Sequence, residues 1–212
     1  MASQFPYRLY LVISEASCPG RDFLSVAEKA VKGGVDIVQL REKTLDSKAF
    51  LHNALRLQEM LSKYHVPLII NDNVPVAMAA QAYGIHVGNN DMPPTQVRAL
   101  WPECRSVGYS VEYIEQLHNE EIAAADCLGI SPVFSTATKT DTVTEWGLHG
   151  IQQIRSLTAK PLVAIGNMNA SNARAVIEAG ADCIAVVSAI CSASDPMRAA
   201  AEIRAEIEKG RI

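Results

Sequence analysis

Eight short runs rich in Val, Ile and Leu recur along this chain, and a stretch with helical spacing follows each of them. The runs span 8–14, 36–42, 67–72, 84–88, 106–110, 127–133, 161–166 and 182–190. Between them, apolar residues at helical spacing predict helices over 21–32, 46–63, 75–82, 94–101, 112–123, 147–157 and 170–179, with a last helix opening at Asp195–Pro196. Gly33 and Gly34 supply a stop for the first helix, and Asp46 or Ser47 a cap for the second. Near-continuous apolar strands joined by helices imply a parallel sheet covered on its faces. Eight such units in 212 residues suit a closed (β/α)8 TIM barrel, with residues 1–212 forming one domain. An open, doubly wound sheet is the second choice.

Polar residues in this pattern gather where barrel strands end, which is where barrel enzymes keep their chemistry. The second run closes on Gln39, Arg41 and Lys43, spaced two apart, so alternation turns all three side chains one way. In a closed barrel neither sheet face meets solvent. Those groups must therefore form an internal hydrogen-bonded network or line a site, since burying them unpartnered is costly. Paired guanidinium donors favour an anion such as phosphate. The third run ends at Asn71 and Asp72, the fourth leads to Asp91, and the fifth ends at Ser110.

Asp72 and Asp91 follow consecutive strands, so folding places them near each other and near Arg41, Lys43 and Lys139. Either alone reads as a turn residue or a helix cap; as a pair they suit Mg²⁺ carrying a diphosphate. The loop at 134–147 is long for a compact barrel, and Thr136, Thr138 and Lys139 offer it phosphate donors. Gly166, Asn167, Val187 and Ser188 mark the strand ends whose backbone N–H groups commonly seat a phosphate in barrels. His86, alone within its run, reads as a structural histidine. A Schiff base on Lys43 or Lys139 is a weaker alternative, because such a lysine needs a pocket of low dielectric to lose its proton.

The bulk numbers narrow the function class. A net charge of −4 with 20% charged residues gives no reason to expect nucleic acid or an anionic membrane as a partner. The N-terminal stretch is too polar for a signal peptide, and no apolar run reaches membrane-spanning length. Five cysteines without a C-x-x-C pair read as reduced thiols in a cytoplasmic protein and argue against structural zinc. Homo-oligomerisation is left open.

The blocks VQLREK, IINDN, GIHVGNND, VGYS, SPVFSTATKTD and GADCIAVVSAI, in this order, resemble the thiamine phosphate synthase family over about residues 8–205. The resemblance implies a barrel enzyme that moves a hydroxymethylpyrimidine group from its diphosphate to the nitrogen of a thiazole phosphate and releases pyrophosphate. It implies that Gln39, Arg41 and Lys43, with the backbone of Leu40 and Glu42 between them, hold the pyrimidine diphosphate. Asn71 would contact the same substrate, Asp72 and Asp91 would bind Mg²⁺, and Ser110 and Lys139 would meet the diphosphate. Thr136 and Thr138, with Ala137 between them, would seat the thiazole phosphate together with Asn167, Val187 and Ser188, and His86 would lie near the thiazole. Two positions depart from the family pattern: Asn167 replaces the second glycine of a pair, and Asn89 replaces a glutamine. A thiazole tautomerase of the same superfamily, or a barrel that binds a thiazole phosphate without turnover, are the competing readings.

Overall fold

Strand alternation decides where each side chain goes, and here both faces are apolar. The structure, a computed structural model, describes residues 5–135 and 144–211. Its strands are β1 (Leu9–Ile13), β2 (Ile37–Leu40), β3 (Leu68–Asn71) and β4 (Gly84–Val87), followed by β5 (Ser106–Val111), β6 (Cys127–Ile130), β7 (Leu162–Ala164) and β8 (Cys183–Val186). Each pairs in parallel with the next, and β8 returns to β1 through Leu9↔Ile184 and Leu11↔Val186. The sheet is a closed barrel and not the open alternative.

Outward-facing Leu9, Leu11, Val38, Leu40, Leu68 and Ile70 join a core shared with the helices. Inward-facing Tyr10, Val12, Ile37, Ile69, Val163 and Ala185 form a second core inside the barrel. Fully burying one such Leu or Ile is worth about 1.5–3 kcal/mol. Two buried faces are why the strand runs lack the polar alternation of a half-exposed sheet.

The helices are α1 (Phe23–Lys32), α2 (Ser47–Ser62), α3 (Val74–Ala79), α4 (Pro94–Leu100) and α5 (Glu120–Ala124), then α6 (Gly147–Leu157), α7 (Ala173–Glu178), α8 (Ser188–Cys191) and α9 (Pro196–Lys209). Short acids and amides start several of them. Asp22 accepts from the amides of Leu24 and Ser25, Asp46 from Ala49, and Asp195 from Met197 and Arg198. Among the described residues no helix is long and apolar enough to cross a membrane.

Several expected elements differ at their ends, two of them for a clear local reason. The helix expected over 112–123 divides into a 3₁₀ turn at Ile114–His118 and α5, because Asn119 caps a new helix by accepting from Ile122 N at 3.1 Å. The helix expected over 170–179 is shortened to α7, since Asn169 N donates to the Asn172 side chain at 2.9 Å and holds the chain in a turn. The run at 182–190 is strand only to Val186; α8 begins two residues later.

Candidate active site

The end of β2 divides its residues by direction. Gln39 turns into the barrel, is buried, and donates from Nε2 to Tyr10 Oη at 3.0 Å. Arg41 and Lys43 lie above it, and all three line one cavity of about 510 Å³. Gln39 thus belongs to an internal hydrogen-bonded pair as well as to the cavity wall, while Arg41 and Lys43 face the cavity. Leu40, between them, is wholly buried in the helix-facing core. Glu42 is also turned away, its carboxylate accepting from Glu15 N at 2.9 Å. Backbone is what Leu40 and Glu42 could offer a ligand.

Asn71 ends β3, and Asp72 follows with φ 60°, a left-handed conformation that Asp and Asn tolerate better than most residues. Asp72 N donates to His86 O at 2.9 Å, which ties this bend to β4. The Asp72 carboxylate takes a hydrogen bond from Asn71 Nδ2 and forms an ion pair with Lys43. After β4, Gly88 N donates to Asp91 Oδ2 at 2.8 Å and aims that carboxylate across the cavity.

Asp91 meets Asp72 there. Burial pushes the Asp91 carboxyl above its ordinary range, and hydrogen-bonding contact with Asp72 and its charge push the same way. The Gly88 amide and Lys43 pull it back down. A pair of carboxylates held together is a place for a cation. Among the described residues no group of three His, Cys, Asp or Glu could cage a metal. Two carboxylates facing one cavity fit Mg²⁺, which takes one or two protein carboxylates and fills its other positions with water and phosphate oxygens.

Across the mouth, His86 Nε2 lies 2.9 Å from the Ser110 hydroxyl, and both line the cavity. Asn89, the shortened amide, is held through its Oδ1, which accepts from Tyr109 Oη at 2.8 Å and Gln116 Nε2 at 2.6 Å. A second lobe of about 130 Å³ is lined by Gly166, Asn167, Val187 and Ser188. Both lobes share Arg41, Ser131, Ile165, Val12 and Ala185, so they adjoin at one end of the barrel.

The glycine replacement at 167 has a physical account. Gly166 carries φ 114°, and a β carbon there would stand 2.6 Å from Pro132 Cβ, so glycine is required. Asn167 carries φ 53°, the left-handed region that asparagine visits. Its carbonyl is also fixed, by Asn172 Nδ2 at 2.9 Å.

Comparison with known proteins decides the family. The thiamine monophosphate synthase family model matches residues 9–190. This chain belongs to the thiamine monophosphate synthase family. It is 48% identical over 201 residues to a thiamine-phosphate synthase of Albidiferax ferrireducens, covering 95% of this chain and 92% of that one. A thiamine-phosphate synthase of Shouchella clausii is 40% identical over 204 residues, covering 96% and 98%. Among solved structures, a thiamine phosphate pyrophosphorylase from Pyrococcus furiosus superposes with TM-score 0.87 at 30% identity, covering 97% of each chain. A 3-hexulose-6-phosphate synthase, at 20% identity and TM-score 0.69, shares the barrel fold.

Of the residues singled out from the sequence, Gln39, Arg41, Lys43, Asn71, Asp72, His86, Asp91 and Ser110 line the larger lobe, and Asn167, Val187 and Ser188 the smaller. Thr136, Ala137, Thr138 and Lys139 lie outside the described residues. Sequence reasoning missed Tyr10, Ser14, Ser17 and Tyr113, which also line the mouth. Ser14 follows β1 directly, so inspecting the end of the first strand run as well finds it. Tyr10 carries no such signal: within an apolar run it reads as core, and its hydroxyl matters only because Gln39 reaches it.

Proposed function

We propose that this enzyme joins a hydroxymethylpyrimidine diphosphate to a hydroxyethylthiazole phosphate, giving thiamine phosphate and pyrophosphate, in the mouth described above. One observation carries the reading: Arg41 and Lys43 share a cavity wall with the apposed Asp72 and Asp91. A leaving diphosphate needs cations on its oxygens and a divalent ion beside it. A tautomerase or a passive phosphate-binding barrel has no use for paired carboxylates at that place.

The larger lobe takes the pyrimidine diphosphate. Gln39, fixed by Tyr10, and Asn71 supply amides for the pyrimidine end; Arg41 and Lys43 grip the phosphates, with Ser110 and Lys139 as further donors. The smaller lobe takes the thiazole phosphate through backbone at Asn167, Val187 and Ser188, and Thr136, Ala137 and Thr138 would supply further contacts to it. Asp72 and Asp91 would hold Mg²⁺, which supplies positive charge to the leaving pyrophosphate.

The bond between the pyrimidine methylene carbon and the diphosphate oxygen breaks, and its electrons leave with pyrophosphate. The thiazole nitrogen gives its lone pair to the methylene carbon and becomes a quaternary cation. No proton moves on either partner, so no general base is needed. Side chains contribute by holding nucleophile and carbon in line and by meeting the charge that grows on the leaving oxygen. Buried, unpaired thiols at all five cysteines support a reducing, cytoplasmic setting for this work.

The test is pyrophosphate release. With both substrates and Mg²⁺, pyrophosphate and thiamine phosphate should appear in equal amounts, and neither substrate alone should yield product. Absence of pyrophosphate with both substrates present would rule this reading out.

A further inference from the structure

Glycine within a strand marks a place where something comes close to the backbone. On β5 and β6, Gly108 and Gly129 lie beneath the ring of His86. A β carbon on Gly108 would stand 2.5 Å from His86 Nδ1, while the nearest atom of another residue, Cys127 Sγ, would be an ordinary 3.4 Å away. On Gly129 it would stand 2.8 Å from His86 Cε1, and the nearest atom beyond the ring is Tyr109 O at 3.8 Å. At both positions the imidazole is the sole tight obstacle. Gly84 is different, because its β carbon would strike backbone, Ser106 O at 2.0 Å.

Strand register explains the arrangement. His86 lies opposite Gly108, and Ser110 lies opposite Gly129. The ring therefore leaves β4, crosses β5 and reaches the edge of β6, where its Nε2 comes to 2.9 Å from Ser110 Oγ. Ser110 is buried yet lines the larger lobe.

We propose that Gly108 and Gly129 are positioning residues for the reaction. Their lack of β carbons makes a bed that holds the His86 imidazole against the barrel wall, and the imidazole fixes the Ser110 hydroxyl toward the diphosphate. This rests on the reading above that Ser110 meets that substrate. An alanine at either glycine must push the ring off the wall and break its contact with Ser110.

A double-mutant cycle separates this from a general strand effect, using Gly129→Ala, His86→Ala, the pair together, and Gly84→Ala as a control. Gly129→Ala alone is expected to lower kcat/KM for the pyrimidine diphosphate about tenfold, within the range of coupling between touching residues, with KM for the thiazole phosphate little changed. Once His86 is alanine, the same change should alter kcat/KM less than about twofold and leave the melting temperature where His86→Ala puts it. Gly84→Ala should impair folding in either background. If Gly129→Ala alone does not fold, recovery of soluble protein in the double variant supports the bed, and failure to recover overturns it. Equal losses in both backgrounds, or none in the native one, also overturn it. An unchanged kcat/KM in Ser110→Ala would instead overturn the reading on which this inference rests, and it involves neither glycine.

Discussion

Asp91 concentrates the electrostatic logic of the site in one side chain. Its carboxyl is raised by burial and by Asp72, so the folded chain holds that proton more tightly than the unfolded chain. Stability from this group is therefore complete at pH below the ordinary carboxylate range and is lost as pH rises through the elevated value. Asp91→Asn keeps an acceptor for Gly88 N and removes the repulsion. Metal-free Asp91→Asn should melt at or above the native temperature at neutral pH, with the difference shrinking on acidification. Added Mg²⁺ should raise the melting temperature of the native protein and not of the variant; equal stabilisation of both would remove Asp91 from the metal site.

Asn167 gives a second test at the same scale. At φ 53° glycine is free of strain and a β-branched residue is not. Asn167→Gly should leave melting within about 0.5–1 kcal/mol, whereas Asn167→Val should cost about 1–3 kcal/mol and raise KM for the thiazole phosphate. Equal melting of the two variants would contradict the backbone account. The tolerance of asparagine here was readable from the sequence, because residue type alone bounds the backbone region it can enter. The apposition of Asp72 and Asp91 was readable only through the barrel, since it depends on which strands are neighbours.

Elements are tied to one another by buried polar contacts that pattern reading does not find. Glu42, just past β2, is 8% exposed and holds the loop after β1 by accepting from Glu15 N. That loop carries Ser14 and Ser17 to the smaller lobe. Burial raises the Glu42 carboxyl above its usual range, although the Glu15 amide opposes this. Glu42→Gln keeps the acceptor without the charge and should melt within about 0.5 kcal/mol of the native protein or above it at neutral pH. Glu42→Leu removes the acceptor from the Glu15 N–H and should cost about 0.5–1.5 kcal/mol. Thermal melts of both variants distinguish this tie from mere space filling, which leucine would satisfy.

Helix boundaries were the least legible feature at this scale. The side chains of Asn119 and Asn172 each divert the chain by accepting a hydrogen bond, from Ile122 N at 3.1 Å and from Asn169 N at 2.9 Å. Apolar spacing gives no sign of either turn, so periodicity alone joins two elements across Asn119 and starts the later helix too early. The caps at Asp46 and Asp195 were legible because a short acid before an apolar periodic run has few other uses.

For the whole molecule, the rhythm of eight apolar runs carried the fold, because two buried strand faces leave no polar alternation to mislead the count. Closure of β8 on β1 then converts eight separate strand ends into one ring. That conversion is what gathers residues as far apart in sequence as Gln39 and Ser188 around a single mouth. The interior filling was less legible. Bulky Tyr10, Val12, Ile37 and Ile69 occupy one side of the barrel, while Gly108 and Gly129 leave the other to His86. A histidine in a strand and a glycine two strands later have no visible relation until the barrel closes.

The central claim is spatial: one mouth holds the leaving diphosphate between Arg41 and Lys43 on one side and the Asp72–Asp91 pair on the other. A crystal structure with pyrophosphate and Mg²⁺ tests it most directly. The account predicts pyrophosphate oxygens on Arg41 and Lys43, Mg²⁺ held by Asp72 and Asp91, and Lys43 drawn from Asp72 toward phosphate. Pyrophosphate bound elsewhere, or Mg²⁺ that touches neither aspartate, would contradict it.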